Sequence, residues 1–401
     1  MALARYRAVF AIPGVSRLAV VALLARIPFT SASVVLTLHV VLTLDRGYGA
    51  AGLVGAAATI GAAVGAPFLG RIVDRRGLRQ MLVLTTVAQG VFWGAAPWLP
   101  YPALLVAAAL VGGLLMVPVF SVVRQSLAAL VPETQRRTAY SADSMSIEMS
   151  FMVGPVLGVL VATQVSTTAA VLALGAAIVV ASVALYVLNP PVRSEAGDGA
   201  ARPPVRSWLR PALLSVLVAT TACTLVLGGT DVAIVAALQS AGQVSWTGLV
   251  LACWGLASLV GGFVYGAMRR GISAWALAIL IGVCTVPVGF FGNQWWVLCL
   301  ALAPAGALCA PTLAATADAV SRLAPEGVRG LVMGLHSSAL TAGFAIGAPL
   351  SGAVVDATAP MWGFVAIGVA GALLATGAMI VRRLDPVQPL APEQPLVAAA
   401  T

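Results

Sequence analysis

Four ionisable residues stand in stretches that are otherwise apolar: Arg26, Arg124, Glu148 and Asp231. A charge in such surroundings is costly unless it is paired or wetted, so each marks a place where chemistry is expected. Arg26 heads a polar stripe, because Thr30, Ser33 and Thr37 lie within about 40° of it on a helical wheel. Such a stripe suits a wet cavity better than lipid. Arg26, Glu148 and Arg124 fall at similar depths, about 10–14 Å inside one boundary at a helical rise of about 1.5 Å per residue. A buried Arg26–Glu148–Arg124 cluster is the simplest offset to their desolvation. Two readings of it stay open. In one, Glu148 takes up and releases a proton while a freed arginine holds an anionic or polar group; in the other, the three form a static staple. Asp231 shares a face with Thr220, Thr224 and Gly228 and has no basic residue near it in its own segment. It is a second proton-site candidate, the alternative being a solvated residue near an outer mouth. Asp318 and Arg322 are spaced to pair with each other, and His336 reads as packing more than as a proton relay.

Other chemistry lacks its residues. No P-loop, G-x-S-x-G or H-E-x-x-H motif is present, and two isolated histidines make no metal cluster. Five cysteines (Cys223, Cys253, Cys284, Cys299 and Cys309) show no C-x-x-C spacing and read as small apolar fillers. The expectation is therefore no enzyme, no cofactor and no metal, with energy drawn from an ion gradient, most simply of protons, or from the substrate's own gradient.

The elements that position these residues are membrane helices. Charged residues are 9% of the 401-residue chain and apolar ones 60%, too few charges to cover a water-soluble surface. Apolar runs recur at 18–43, 50–73, 79–99, 102–130, 139–164, 167–188, 210–239, 246–268, 272–291, 295–321, 330–356 and 360–383. Each is long enough to cross about 30 Å of hydrocarbon as a helix, and lipid permits little else. Residues 189–209, rich in Pro, Gly and Arg, read as a flexible linker between 1–188 and 210–383. Residues 384–401 read as a disordered tail. All 22 basic residues are arginines, clustered before helix 1, at 71–79, 136–137, 269–270 and 322–329, and after helix 12; Arg46 alone stands in the alternate loops. The positive-inside rule puts both termini and the linker in the cytoplasm. The net charge of +9 follows from this asymmetry and from contact with anionic lipid, so nucleic acid is not invoked.

The chain repeats itself. Pro118 and Pro311 are 193 residues apart, as are Arg136 and Arg329, giving P-E-x-x-R twice. Pro155-Val-Leu-Gly158 matches Pro349-Leu-Ser-Gly352 at 194, and Gly52, Gly65 and Gly70 match Gly248, Gly261 and Gly266 at 196. Two related sets of six helices around a central cavity are expected, an all-α plan of two six-helix bundles related by a pseudo-two-fold axis.

With the repeat, two motifs carry a resemblance. Gly70-Arg-Ile-Val-Asp74-Arg75-Arg76-Gly77-Leu78-Arg79 resembles the G-x-x-x-D-R-x-G-R-[RK] signature of the major facilitator superfamily, departing from it at Leu78. Ser150-Phe-Met-Val-Gly154-Pro155-Val-Leu-Gly158-Val159 is similar to the superfamily's helix-5 motif but has Ser and Val at its ends. The helix-4 arginine signature is absent, the position near Ala108 not being basic. The resemblance implies a cavity lined by helices 1, 4, 7 and 10 and secondary transport by alternating access. The helix-5 motif implies the drug/proton antiporter-like branch, hence proton-coupled export of a small amphipathic compound or drug. Alternatives are a proton-linked importer or facilitator of a small polar or anionic metabolite, and a non-transporting sensor or assembly factor. On the residues themselves, Asp74 with Arg75 and Arg79 would form a charge network that clamps the cytoplasmic ends in one state, which Asp143 could join, while Gly70 and Gly77 complete the motif. Ser150, Gly154 and Gly158 form a small-residue stripe for close helix approach, with Pro155 allowing a bend. The expected partners are a small-molecule substrate, protons and membrane lipids, for a monomer in a bacterial inner (plasma) membrane.

Overall fold

The computed structural model describes residues 2–46, 48–99, 103–192, 204–243, 246–268, 271–291 and 294–384. Within these residues every regular element is helical. The first half comprises α1 (Ala2–Phe10), α2 (Val15–Leu42), α3 (Tyr48–Arg76), α4 (Leu78–Ala95), α5 (Ala103–Leu114), α6 (Val119–Leu130), α7 (Glu133–Gln164) and α8 (Thr167–Leu188). A single turn, α9 (Val205–Trp208), precedes the second half: α10 (Pro211–Ser240), α11 (Thr247–Ala267), α12 (Ala274–Thr285), α13 (Trp295–Leu323), α14 (Arg329–Ala357) and α15 (Pro360–Leu384). Counting α5 and α6 as one interrupted crossing, ten segments are long and apolar enough to span a membrane. The shorter α4 and Ala274–Phe290 complete twelve. Outward faces are apolar, as lipid demands: Val83, Val87 and Val91 on α4 are 52, 61 and 67% exposed.

The sequence reading needs four adjustments. Helix 4 is broken between Leu114 and Val119, where Pro118 lacks an N–H and opens α6 as its N-cap. Helix 5 begins at Glu133, directly after Pro132, six residues before the expected start. The amphipathic α1 precedes the first crossing. Part of the expected flexible linker is the helical turn α9; residues 193–203 of it, Arg269 and Arg270, and 385–401 of the expected tail lie outside the described residues.

The repeat is visible in the packing. In the first half α2 packs on α7 and α8, α3 on α5, and α4 on α8; in the second, α10 packs on α14 and α15, α11 on α13, and α12 on α15. The seam α3–α5 and its counterpart α11–α13 share one device. Pro118 and Pro311 have no N–H to give to the carbonyls four residues earlier, Leu114 and Ala307. The backbone of α3 at Gly65 lies against the Leu114 carbonyl, and that of α11 at Gly261 against the Ala307 carbonyl, so closely that neither position has room for a Cβ. The two halves meet along α3–α14 and α7–α11, pairs that exchange under the same two-fold relation.

Candidate functional site

The buried charges assemble around Asp143. Its Oδ1 lies 2.6 Å from Arg26 Nη2 and its Oδ2 3.3 Å from Arg124 Nε. Arg26 is wholly buried, with its guanidinium 5.2 Å from the centre of the Phe120 ring. The expected Arg26–Glu148–Arg124 cluster therefore forms with Asp143 in place of Glu148. The reason is azimuth: Asp143 is on the α7 face that carries Ser150, Gly154 and Gly158, and that face packs on α2, which bears Arg26. Five residues on, Glu148 has turned by about 140° at about 100° per residue and faces the second half.

There Glu148 Oε1 accepts hydrogen bonds from Ser258 Oγ (3.0 Å, α11) and Cys309 Sγ (3.1 Å, α13). Ser258 in turn accepts from the Ala310 amide at 3.1 Å. Oε2 accepts no hydrogen bond from the described residues. Asp231 on α10 is exposed and Glu148 on α7 half-buried, so each half contributes one carboxylate that water can reach. A carboxylate such as Glu148, flanked by hydroxyl and thiol groups, can carry a proton or receive a cationic group.

The polar stripes divide. Thr30 is buried and donates to Ser150 O at 2.8 Å and to Ile27 O at 3.0 Å, sealing the α2–α7 seam instead of wetting a cavity. Thr224 is likewise buried, donating to Thr220 O and Thr221 O with Gly343 against its hydroxyl. Ser33 is exposed and Thr37 half-buried. Gly154 and Gly158 lie where a Cβ would strike Thr30, Ser31 and Val35, and α7 runs unbroken through Pro155.

At the arginine-rich end two clasps join the halves. Asp74 accepts the backbone amides of Gly330 and Leu331, each at 2.8 Å, at the N-terminus of α14. A carboxylate suits that helix end, where amide protons lack partners and the dipole is positive. Gly70 lets the α3 backbone lie against that of Gly330. The expected partners of Asp74 are placed otherwise: Arg75 is exposed, Arg79 stacks 5.4 Å from the Tyr186 ring, and Gly77, at φ 84°, makes the turn into α4. The opposite clasp has the opposite polarity. The carbonyls ending α11 accept from Arg5 Nη1 (Ala267 and Met268, both 2.6 Å), Thr138 Oγ1 (Gly266, 2.7 Å) and Arg137 (Met268). Tyr6 donates its hydroxyl to Phe263 O at 3.0 Å; burial pushes the phenol up to about 12, so it stays a donor. Arg322 pairs with Asp318 at 3.1 Å, as its spacing predicts, and also with Glu133 across the halves. Arg124 also reaches the second half, where its Nη1 lies 3.3 Å from His336 Nδ1.

Sequence reasoning missed Arg5, Tyr6, Arg137, Thr138, Ser258 and Cys309. Only α1, basic and aromatic on one short helix, carried a local signal.

The fold has known relatives. A bacterial homologue of the iron transporter ferroportin, in an outward-facing state, superposes with a TM-score of 0.73 at 15% identity, covering 93% of this chain and 100% of its own. The proton:xylose symporter XylE bound to 6-bromo-6-deoxy-D-glucose gives 0.70 at 15%, covering 92% and 96%. The human organic anion transporter MFSD10 (TETRAN) gives 0.68 at 16%, covering 92% and 99%. At these identities the fold alone is shared. No curated protein sequence matches the chain. The family model described as Major Facilitator Superfamily matches residues 18–238 and 212–398. Those two segments run from α2 past α15, and the chain belongs to the Major Facilitator Superfamily, a membrane transporter and not an enzyme.

Proposed function

We propose that the chain is a proton-coupled secondary transporter that exports a small amphipathic compound by alternating access, with Glu148 and Asp231 as the proton-carrying acids. The arginine-rich end is taken as cytoplasmic from the positive-inside rule. The contacts between halves described above lie between the level of Glu148 and that end, so the conformation is read as outward-facing. The observation that carries the proposal is the binding of Glu148, a first-half acid, by Ser258 and Cys309 of the second half. Its protonation and the relation of the halves are thereby linked. Arg26 and Arg124 are buried against Asp143, which leaves Glu148 and Asp231 as the charged groups substrate can reach. The drug/proton antiporter-like branch implied by the helix-5 motif agrees with this polarity.

The test uses proteoliposomes loaded with the pH dye pyranine and a substrate found by thermal-shift screening at several pH values. Substrate moving against an imposed proton gradient is expected, with Glu148→Gln and Asp231→Asn each lowering proton-coupled flux at least tenfold. Co-directional movement of substrate and protons would replace export by import. Substrate flux without proton movement, undiminished in both variants, refutes the role of the acids. Absence of any flux favours a sensor or assembly factor on this scaffold.

A further inference from the structure

Arg124 is engaged twice. Besides Asp143, its Nη1 lies 3.3 Å from Nδ1 of His336 on α14, in the other half. A guanidinium has donors only, so Nδ1 must present its lone pair. The other ring nitrogen, Nε2, lies 3.3 Å from Thr316 Oγ1 on α13. The two partners thus fix a neutral imidazole with its proton on Nε2, buried to 1% exposure. This contact crosses from α6 to α14, just inside the clasp that Asp74 makes with Gly330 and Leu331.

We propose that His336 is a proton-binding site whose occupation unlatches the arginine-rich gate. A proton added to Nδ1 removes the lone pair that Arg124 donates to and leaves two cations face to face. The attraction across the α6–α14 interface becomes a repulsion, and separation of the halves relieves it. Binding and opening are reciprocal: the proton is held more tightly when that end is open, so acid shifts the population towards the open form.

The surrounding charges sharpen the argument. Arg26 on α2 and Arg124 on α6 share the one carboxylate of Asp143 on α7, so the network already carries one positive charge in excess. On α13, Asp318 lies two residues past Thr316 and is paired with Arg322 at 3.1 Å, so a charged His336 would add a second positive charge without a free counter-ion. Tyr140 on α7 donates to Arg124 O at 3.3 Å and takes no part in the latch. From α3, Asp74 faces Gly330 and Leu331, well over a turn nearer the arginine-rich end. On α10, Cys223 is buried and Asp231 lies several turns away, past the level where Leu225 meets Gly347. On α15 the arginines are Arg382 and Arg383, in its last turn. The proposal stands apart from the role given to Glu148, which touches neither Arg124 nor His336.

The test measures opening and protonation on the same protein. Spin labels on unnatural amino acids at the exposed Gln80 and Ile272 report the width of the arginine-rich end in nanodiscs between pH 8 and pH 5.5. The wild-type distance is expected to lengthen on acidification. In a Glu148→Gln background, where that acid can no longer titrate, the shift is expected to remain, and adding His336→Gln, which keeps an acceptor for Arg124 but cannot become a cation, is expected to abolish it. Solid-state ¹⁵N spectra need no variant at the site, because the chain has only His39 and His336 and His39→Asn leaves a single imidazole. A neutral ring with Nε2 protonated at pH 8, becoming an imidazolium over the range in which the distance grows, supports the latch. A ring that stays neutral to pH 5, protonation without opening, or a shift that His336→Gln retains overturns it.

Discussion

Asp143 and Glu148 are five residues apart on one helix and do different work. Asp143 is the single counter-ion of two buried guanidinium groups, so removing its charge strands both. Breaking a buried ion pair from one side costs about 3–5 kcal/mol. Glu148 is held by a neutral hydroxyl and a neutral thiol, which an amide oxygen can also satisfy. Asp143→Asn is therefore expected to lower the thermal midpoint in detergent by several degrees, Asp143→Glu by less, and Glu148→Gln least of all. A larger loss for Glu148→Gln than for Asp143→Asn would falsify the assignment. Depth along the helix was legible in the sequence and selected Arg26, Arg124 and Glu148, but pairing also depends on azimuth. The small-residue stripe held that information, since it passes through Asp143 and points to whichever helix packs there. The threonines misled for another reason. Thr30 and Thr224 satisfy their hydroxyls on carbonyls three or four residues back, so a hydroxyl stripe needs no water.

At the scale of elements, glycines matched by the repeat serve unequal purposes. Gly65 and Gly261 face carbonyls that Pro118 and Pro311 have released, and a Cβ at either would collide with backbone. Gly52 and Gly248, equally matched in sequence, have open space where a Cβ would stand. Overfilling a packed seam costs about 1–3 kcal/mol, whereas alanine for an unconstrained helical glycine gains about 0.5–1 kcal/mol. Gly65→Ala and Gly261→Ala should lower the thermal midpoint, and Gly52→Ala and Gly248→Ala should hold or raise it. Equal effects at all four positions would show that the seams yield and that the repeat is only a trace of ancestry. The break of helix 4 at Pro118, against the unbroken run of α13 through Pro311, shows how the same residue diverges with its neighbours. The apolar runs that marked twelve helices carried no sign of it.

For the whole molecule, the arginine-rich end is closed by two clasps on separate interfaces. Asp74 holds α14 by its amide end, and Arg5, Tyr6, Arg137 and Thr138 hold α11 by its carbonyl end. If the halves rock as rigid bodies, these are not independent local contacts, because both report one equilibrium. Each hydrogen bond is worth about 0.5–1.5 kcal/mol net, and about 1.4 kcal/mol shifts a population tenfold. Arg5→Ala with Tyr6→Phe should accordingly lengthen the distance across α3–α14, an interface neither residue touches, as read by paired spin labels. Asp74→Asn should lengthen the distance across α7–α11 in the same way. The two changes combined should add in free energy within about 0.5 kcal/mol, as separated sites do. Opening confined to the interface that was cut would mean that the halves flex, and the two-fold arrangement of the clasps would then have no mechanical consequence. Coupled opening would make α1, which crosses nothing, a strap on the same gate that the buried Arg124–His336 contact closes from within.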